Sequence, residues 1–174
     1  MPSPNIWHWP EWYEVENRAQ DVDGAIFRHL HGAVDWTGGI VADVGCGSGF
    51  HLPVFAESAA TVYGIEPHPP LLERARARVG HLPNVRVLDG SAEGIPLGDA
   101  TVDVVHARTA YFFGPGCGCG IREAMRVLRP GGALVVVDLD ATAHPYGEWM
   151  RTDLPQYHPA TVEAFFAAQG FDLA

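Results

Sequence analysis

The chain has 174 residues, 47% hydrophobic and 18% charged, which is enough to bury one core and far from the composition of disordered segments. Its formal charge of −10 repels phosphate backbones and argues against nucleic acid as the main partner. No apolar run reaches the roughly 18 to 20 residues of a membrane span. The start Met1-Pro2-Ser3-Pro4 lacks a basic then apolar leader, so one cytoplasmic domain over 1–174 is expected.

An aromatic, proline-broken opening holds Trp7, Trp9, Pro10, Trp12 and Tyr13. From about Glu14 to Val34, apolar groups at Val15, Ala19, Val22, Ile26, Leu30 and Val34 have helical spacing, broken near Gly24. Residues 1–37 therefore read as a helical cover. Gly38-Gly39 introduces Ile40 to Val44, a short apolar run suited to a strand buried on both faces. Leu52, Phe55, Ala56 and Ala59 mark a helix, and Thr61 to Ile65 a second strand. Pro69 and Pro70 suit the first turn of a helix with the stripe Leu71, Leu72, Ala75 and Val79, a wet outer face at Arg74, Arg76 and Arg78, and Gly80 placed to cap its end.

Val85 to Leu88 and Val102 to Val105 give the third and fourth strands. Ile121, Ala124, Met125 and Leu128 mark another amphipathic helix, and Pro130-Gly131-Gly132 turns into a fifth strand, Ala133 to Val137. Alternating strands and helices predict an α/β parallel sheet with helices on both faces, the core spanning 38–138. Residues 139–174 read as a lid loop and a last helix with Val162, Phe165 and Phe166, ended by Gly170.

Between the first strand and its helix lie Gly45, Gly47 and Gly49, where missing side chains let the backbone turn sharply and approach a ligand. A dinucleotide fingerprint needs Gly or Ala where Phe50 stands, which argues against a pyrophosphate and an NAD-dependent oxidoreductase. Further motifs follow in order: Gly64-Ile65-Glu66, Gly90-Ser91-Ala92-Glu93-Gly94-Ile95-Pro96, Val102-Asp103-Val104-Val105, and Arg126-Val127-Leu128-Arg129-Pro130-Gly131-Gly132. With Asp43-Val44-Gly45-Cys46-Gly47-Ser48-Gly49, this set resembles class I S-adenosylmethionine-dependent methyltransferases. The likeness is to the small-molecule group similar to ubiquinone and menaquinone biosynthesis enzymes, and it spans about Ile40 to Asp138.

The resemblance implies a Rossmann-like sheet of order 3-2-1-4-5 and S-adenosyl-L-methionine as cofactor. Gly45, Cys46, Gly47 and Gly49 would lie against it, with Asp43 beneath its methionine part or bonding loop amides. Glu66, followed by Pro67, would accept both ribose hydroxyls. Ser91, Ala92 and Glu93 would frame the adenine, Ser91 standing where many relatives carry Asp. His106 and Arg108 would flank the cofactor at the end of the fourth strand, and His106 is also a candidate general base. Tyr13 and Arg18 would fold over the site from the cover, and Tyr111, Phe112 and Phe113 read from their residue types as either the wall of an apolar acceptor pocket or plain core.

The three cysteines indicate no disulfide framework, Cys117-Gly118-Cys119 reads as a glycine-rich loop, and the scattered histidines predict no metal. Relatives usually continue with an antiparallel strand pair where this chain reaches Gly170 to Ala174, so that pair is absent or truncated here, and the fifth strand is expected at an edge that either reflects a shortened chain or is covered by a partner or a second copy. The expected activity is methyl transfer to a small molecule. The alternative is a non-catalytic module that binds S-adenosylmethionine or its demethylated product.

Overall fold

Five runs of mostly aliphatic residues form one parallel sheet in the computed structural model, which describes residues 5–111, 117–138, 159–168 and 170–171. The strands are β1 (Ile40–Val44), β2 (Thr61–Glu66), β3 (Val85–Asp89), β4 (Val102–Arg108) and β5 (Leu128–Val137), in the order β3-β2-β1-β4-β5. Helices α4 (Leu52–Ala56), α5 (Pro69–Val79) and α6 (Cys117–Val127) lie between strands. Before the sheet come α1 (Asn5–His8), α2 (Pro10–Gln20) and α3 (Ala25–Ala33), and after it α7 (Pro159–Ala168).

Strand alternation sorts the core into two faces. Val41 of β1 and Val104 of β4 pack with Phe27, Trp36, Leu52, Phe55 and Ala75. Ala42, Val44 and Val105 pack with Ala124, Val127 and Leu128 on the other side. Each fully buried Val, Leu or Ile here contributes about 1.5 to 3 kcal/mol. Asp43 and His106 come two residues after Val41 and Val104, so their side chains emerge on the α3–α4 face. The register sets these two residues directly opposite each other.

Several expectations need correction. The first long helix starts at Pro10, and the break near Gly24 is wide enough to divide it into α2 and α3. Val15 and Val22 are 55% and 80% exposed, and α2 buries no residue at all. Its apolar spacing is not a core stripe, because polar contacts hold α2 over the sheet edge. Gly80 is the C-cap of α5, as expected, but with φ −60 and not left-handed backbone; the amide of Leu82 donates to Val79 O just beyond the helix.

Met125 is exposed and Val127 takes its place on the buried stripe of α6. Cys117 to Gly120 form the first turn of that helix rather than a loop. Strand β5 starts at Leu128, directly after α6, and pairs with Val102. The Pro130-Gly131-Gly132 turn persists as an irregularity within the strand, where pairing jumps to Val104 with Ala133 and Gly131 has φ +81. The lid expected from residue 139 onward falls, up to 158, outside the described residues, as do Phe112 and Phe113. Among the described residues, no helix is long and apolar enough to cross a membrane.

Candidate functional site

The loop after β1 turns through left-handed backbone at Gly45, Gly47 and Gly49 (φ +72, +56 and +73). The amides of Gly45 and Cys46 both donate to Ile65 O, at 2.9 and 3.1 Å, which ties the loop to β2. A Cβ on Gly45 would meet the Cβ of Ala110 at 2.8 Å, and one on Gly49 would crowd Ala75 at 3.1 Å. Both positions need glycine for backbone sign and for space.

Glu66 closes β2 beside this loop and is only 4% exposed. The amide of Gly47 donates to its Oε2 at 3.0 Å and that of His68 to its Oε1 at 2.9 Å. Burial pushes its pKa up, and the two amide bonds pull against that shift. A carboxylate offers about four acceptor positions, so one remains on each oxygen.

Asp43 and His106 meet behind the loop, with Asp43 Oδ1 and His106 Nδ1 2.7 Å apart. With the carboxylate accepting, Nδ1 carries the hydrogen and Nε2 of a neutral ring carries the lone pair. The imidazole is 1% exposed and packs beside Phe55 and Phe27, at ring-centroid distances of 5.0 and 6.0 Å. Its Nε2 is buried without a hydrogen-bond partner among the described residues. Arg108, two residues further, donates from Nη2 to Gln20 Oε1 at 2.5 Å, while its Nη1 is buried and has no partner among the described residues. Burial lowers the Arg108 pKa against the opposing pull of Asp21, Asp43 and Glu16.

Cys46 is buried, and its thiol is pushed well up by burial first and then by Asp43 and Glu66, which makes it a packing group and a poor nucleophile. Beyond β3, Ser91 and Gly94 bridge to close a turn in which Ser91 and Ala92 are half-buried and Glu93 is exposed. Exposed Pro67 stands between Glu66 and His68. The expected core residues thus gather near the carboxyl ends of β1 to β4, where open parallel sheets take ligands.

The cover reaches this edge through α2. Glu11 pairs with Arg74 at 2.7 Å, and Glu14 with Arg78 at 2.5 Å and with the Ser48 hydroxyl. Arg78 Nε also donates to Ser48 O at 3.0 Å, and Trp7 stacks on His68 at 4.6 Å. Of the two expected cover residues, Arg18 borders a cavity of about 740 Å³ against α3 and α4. Tyr13 lies apart, in an open recess with Trp9, Trp12 and Glu16. Tyr111 is buried with Ala107, Ile121 and Phe166, so it is core packing.

The sequence reading missed Ser48, Gln20, His68 and the Glu14–Arg78 clamp. The available signal was that Glu11 and Glu14 share one helix face, at i and i+3, and Arg74 and Arg78 another, at i and i+4. It also missed His51, which stacks on Phe27 at 5.1 Å and whose pKa falls to about 4, chiefly through burial.

A parallel sheet in this order, with a glycine turn after its first strand and an enclosed carboxylate ending its second, defines a Rossmann-like methyltransferase fold. Residues 42–136, more than half of the chain, match the family described as methyltransferase domain, and the chain belongs to that family. An uncharacterized methyltransferase of Synechocystis is 35% identical over 112 residues, covering 63% of this chain and 50% of the relative. The uncharacterized protein YafE of Escherichia coli is 31% identical over 96 residues, covering 55% and 46%. The chain thus spans about half the length of these relatives. A crystal structure of an S-adenosylmethionine-dependent methyltransferase from Aquifex aeolicus superposes with a TM-score of 0.72 at 25% identity, covering 84% of this chain and 79% of that one.

Proposed function

We propose that the chain uses S-adenosyl-L-methionine to methylate a small molecule, as an intracellular enzyme of the type similar to ubiquinone and menaquinone biosynthesis methyltransferases. The observation that carries this reading is Glu66: an enclosed carboxylate, held by two backbone amides, with one acceptor position left on each oxygen beside a side-chain-free bend. That arrangement fits two vicinal ribose hydroxyls. The unpartnered Nη1 of Arg108 fits the carboxylate of the amino-acid part, with Arg18 behind it. Ser91, Ala92 and Glu93 frame the adenine, with Pro67 and the Gly45 to Gly49 loop along the nucleoside. Tyr13 stays in the set as a cover residue.

The cofactor supplies an electrophilic methyl group on a sulfonium, so the protein's task is placement. The loop and strand ends align the acceptor atom and exclude water, an effect valued at roughly 7 to 11 kcal/mol in intramolecular reactions. His106 is the candidate base: Asp43 fixes its Nδ1 hydrogen and leaves Nε2 to accept a proton. A net charge of −10, with Arg74 and Arg78 already paired to Glu11 and Glu14, favours a small acceptor over nucleic acid.

Calorimetry with S-adenosylhomocysteine tests the reading. Glu66→Ala should weaken binding by about 1 to 3 kcal/mol as hydrogen bonds to a charged acceptor are lost. Unchanged affinity would remove Glu66 from the site.

A further inference from the structure

Helix α2 carries its apolar stripe on the outside. A surface helix ordinarily turns that stripe toward the core and its charges toward water. In α2, Glu14 and Asn17 are partly buried on the inner side, while Trp12, Val15 and Ala19, at i, i+3 and i+7, are exposed on the opposite side. Trp9 and Trp12 are 60% and 68% exposed, and Val15 and Val22 are 55% and 80% exposed. Among the described residues, Met125 alone joins these four as an exposed large apolar side chain, so such exposure is gathered within 9–22.

A contiguous apolar face marks an interaction surface, whereas single exposed apolar residues do not. The same reversal leaves α2 short of packing. A helix of 11 residues is marginal in water by itself, and the inner face of this one is held by polar contacts. Further apolar burial for α2 is available only on its outer side.

What borders the stripe sets the chemistry of the occupant. Trp9, Trp12, Tyr13 and Glu16 line an open recess of about 640 Å³. Aromatic walls with one carboxylate suit a cation on an apolar stem, which describes an arginine or lysine side chain. Between residues 11 and 23 stand five carboxylates, Glu11, Glu14, Glu16, Asp21 and Asp23, against Arg18. Arg74 and Arg78 pair with Glu11 and Glu14, so Glu16, Asp21 and Asp23 set the local sign. A second copy would bring its own acids against these, and an anionic membrane would repel them as well.

We propose that the outer face of α2 is a docking surface for a basic amphipathic helix of another protein. The partner's apolar side chains cover Trp12, Val15 and Ala19, and one of its arginines or lysines enters the recess beside Glu16. Docking orders α2 and, through it, the bonds from Ser48 to Glu14 and from Arg108 to Gln20. That coupling to the cofactor loop rests on the methyltransferase reading; the docking itself does not.

The probe is a synthetic peptide of about 14 residues, leucine and arginine in helical spacing, without tryptophan. Its controls are a scrambled peptide of equal composition and a leucine–glutamate peptide in the same helical spacing. Calorimetry measures affinity, and a blue shift of tryptophan emission reports Trp9 and Trp12 leaving water. The helical arginine peptide should bind at one saturable site, at least about tenfold tighter than its scramble, a contrast that equal net charge cannot produce. The glutamate peptide should bind at least about tenfold more weakly than the arginine peptide. Val15→Glu, at an exposed position, should lower arginine-peptide affinity about tenfold or more. Glu16→Gln should lower it about threefold to fivefold. Bound peptide should slow amide exchange in α2 and slow S-adenosylhomocysteine release about fivefold.

Equal affinity for the helical and scrambled peptides, or undiminished affinity in Val15→Glu, overturns the proposal. So does a dimer in sedimentation that Val15→Glu abolishes, or binding to phosphatidylcholine vesicles in preference to the peptide, since each assigns the face to another occupant. Peptide binding that leaves S-adenosylhomocysteine release unchanged overturns the coupling alone. Peptide binding by a protein that takes no S-adenosylhomocysteine sinks the methyltransferase reading and leaves the docking surface standing.

Discussion

The glycine loop and the helical cover face the same sheet edge but are held there by different forces. The loop is fixed by backbone bonds to Ile65 and by contacts too close for a side chain, with Val41, Leu52 and Ile65 fully buried beneath it. The cover's α2 buries no residue and is attached by charge pairs, the Ser48 hydroxyl and the bond from Arg108 to Gln20. Close packing resists small displacements, whereas exposed ion pairs contribute little each and reform easily. The loop is therefore built into the core, whereas α2 is held on the surface by polar contacts.

The largest effect should come from Gly45→Ala. Left-handed backbone costs about 1 to 3 kcal/mol for a residue with a side chain, and the overlap with Ala110 adds about as much, so urea unfolding should show a loss of about 3 to 4 kcal/mol. A loss below about 1 kcal/mol would mean the loop is as compliant as the cover.

His51 sits at the junction of the two regions and gives the next effect. Its folded pKa of about 4 lies below the ordinary value of about 6.5, so the unfolded chain binds the extra proton. Stability is retained above about pH 6.5 and lost as pH falls toward 4, by at most about 3 kcal/mol. His51→Gln should flatten that part of the stability profile relative to wild type. Parallel profiles would show the imidazole is hydrated and the cavity wall already open.

The smallest effect should be Glu14→Gln. Loss of a half-buried charge pair costs about 1 kcal/mol, confined to the cover. Hydrogen exchange should accelerate in α2 and remain unchanged in β1. Faster exchange in both would contradict the separation drawn here.

The same division explains what was readable in the sequence. Strand β1, the loop and β2 were legible because an aliphatic run, three glycines and a strand-ending acid are local signals. Val15 and Val22 misled because helical spacing does not say whether a helix is held by apolar contacts or by Glu11 and Glu14. That His106 lies toward the carboxyl end of the fourth strand was legible, but β4 runs on to Arg108 with His106 inside it, and its ring turning toward Asp43 depends on a register between β1 and β4 that no local pattern encodes. Gly80 shows the limit of a residue-type rule, since glycine permits left-handed backbone without requiring it. The cavity was invisible because its walls come from α2, α3 and α4, which no local pattern brings together.

One consequence follows from the twin guanidinium–carboxylate clasps that bind α2 to α5. At about 0.1 M ionic strength the Debye length is about 10 Å, and further electrolyte weakens such surface attractions while leaving an aliphatic core untouched. Dissolved salt should thus act as a throttle on the entrance, speeding stopped-flow release of S-adenosylhomocysteine before it alters the unfolding midpoint.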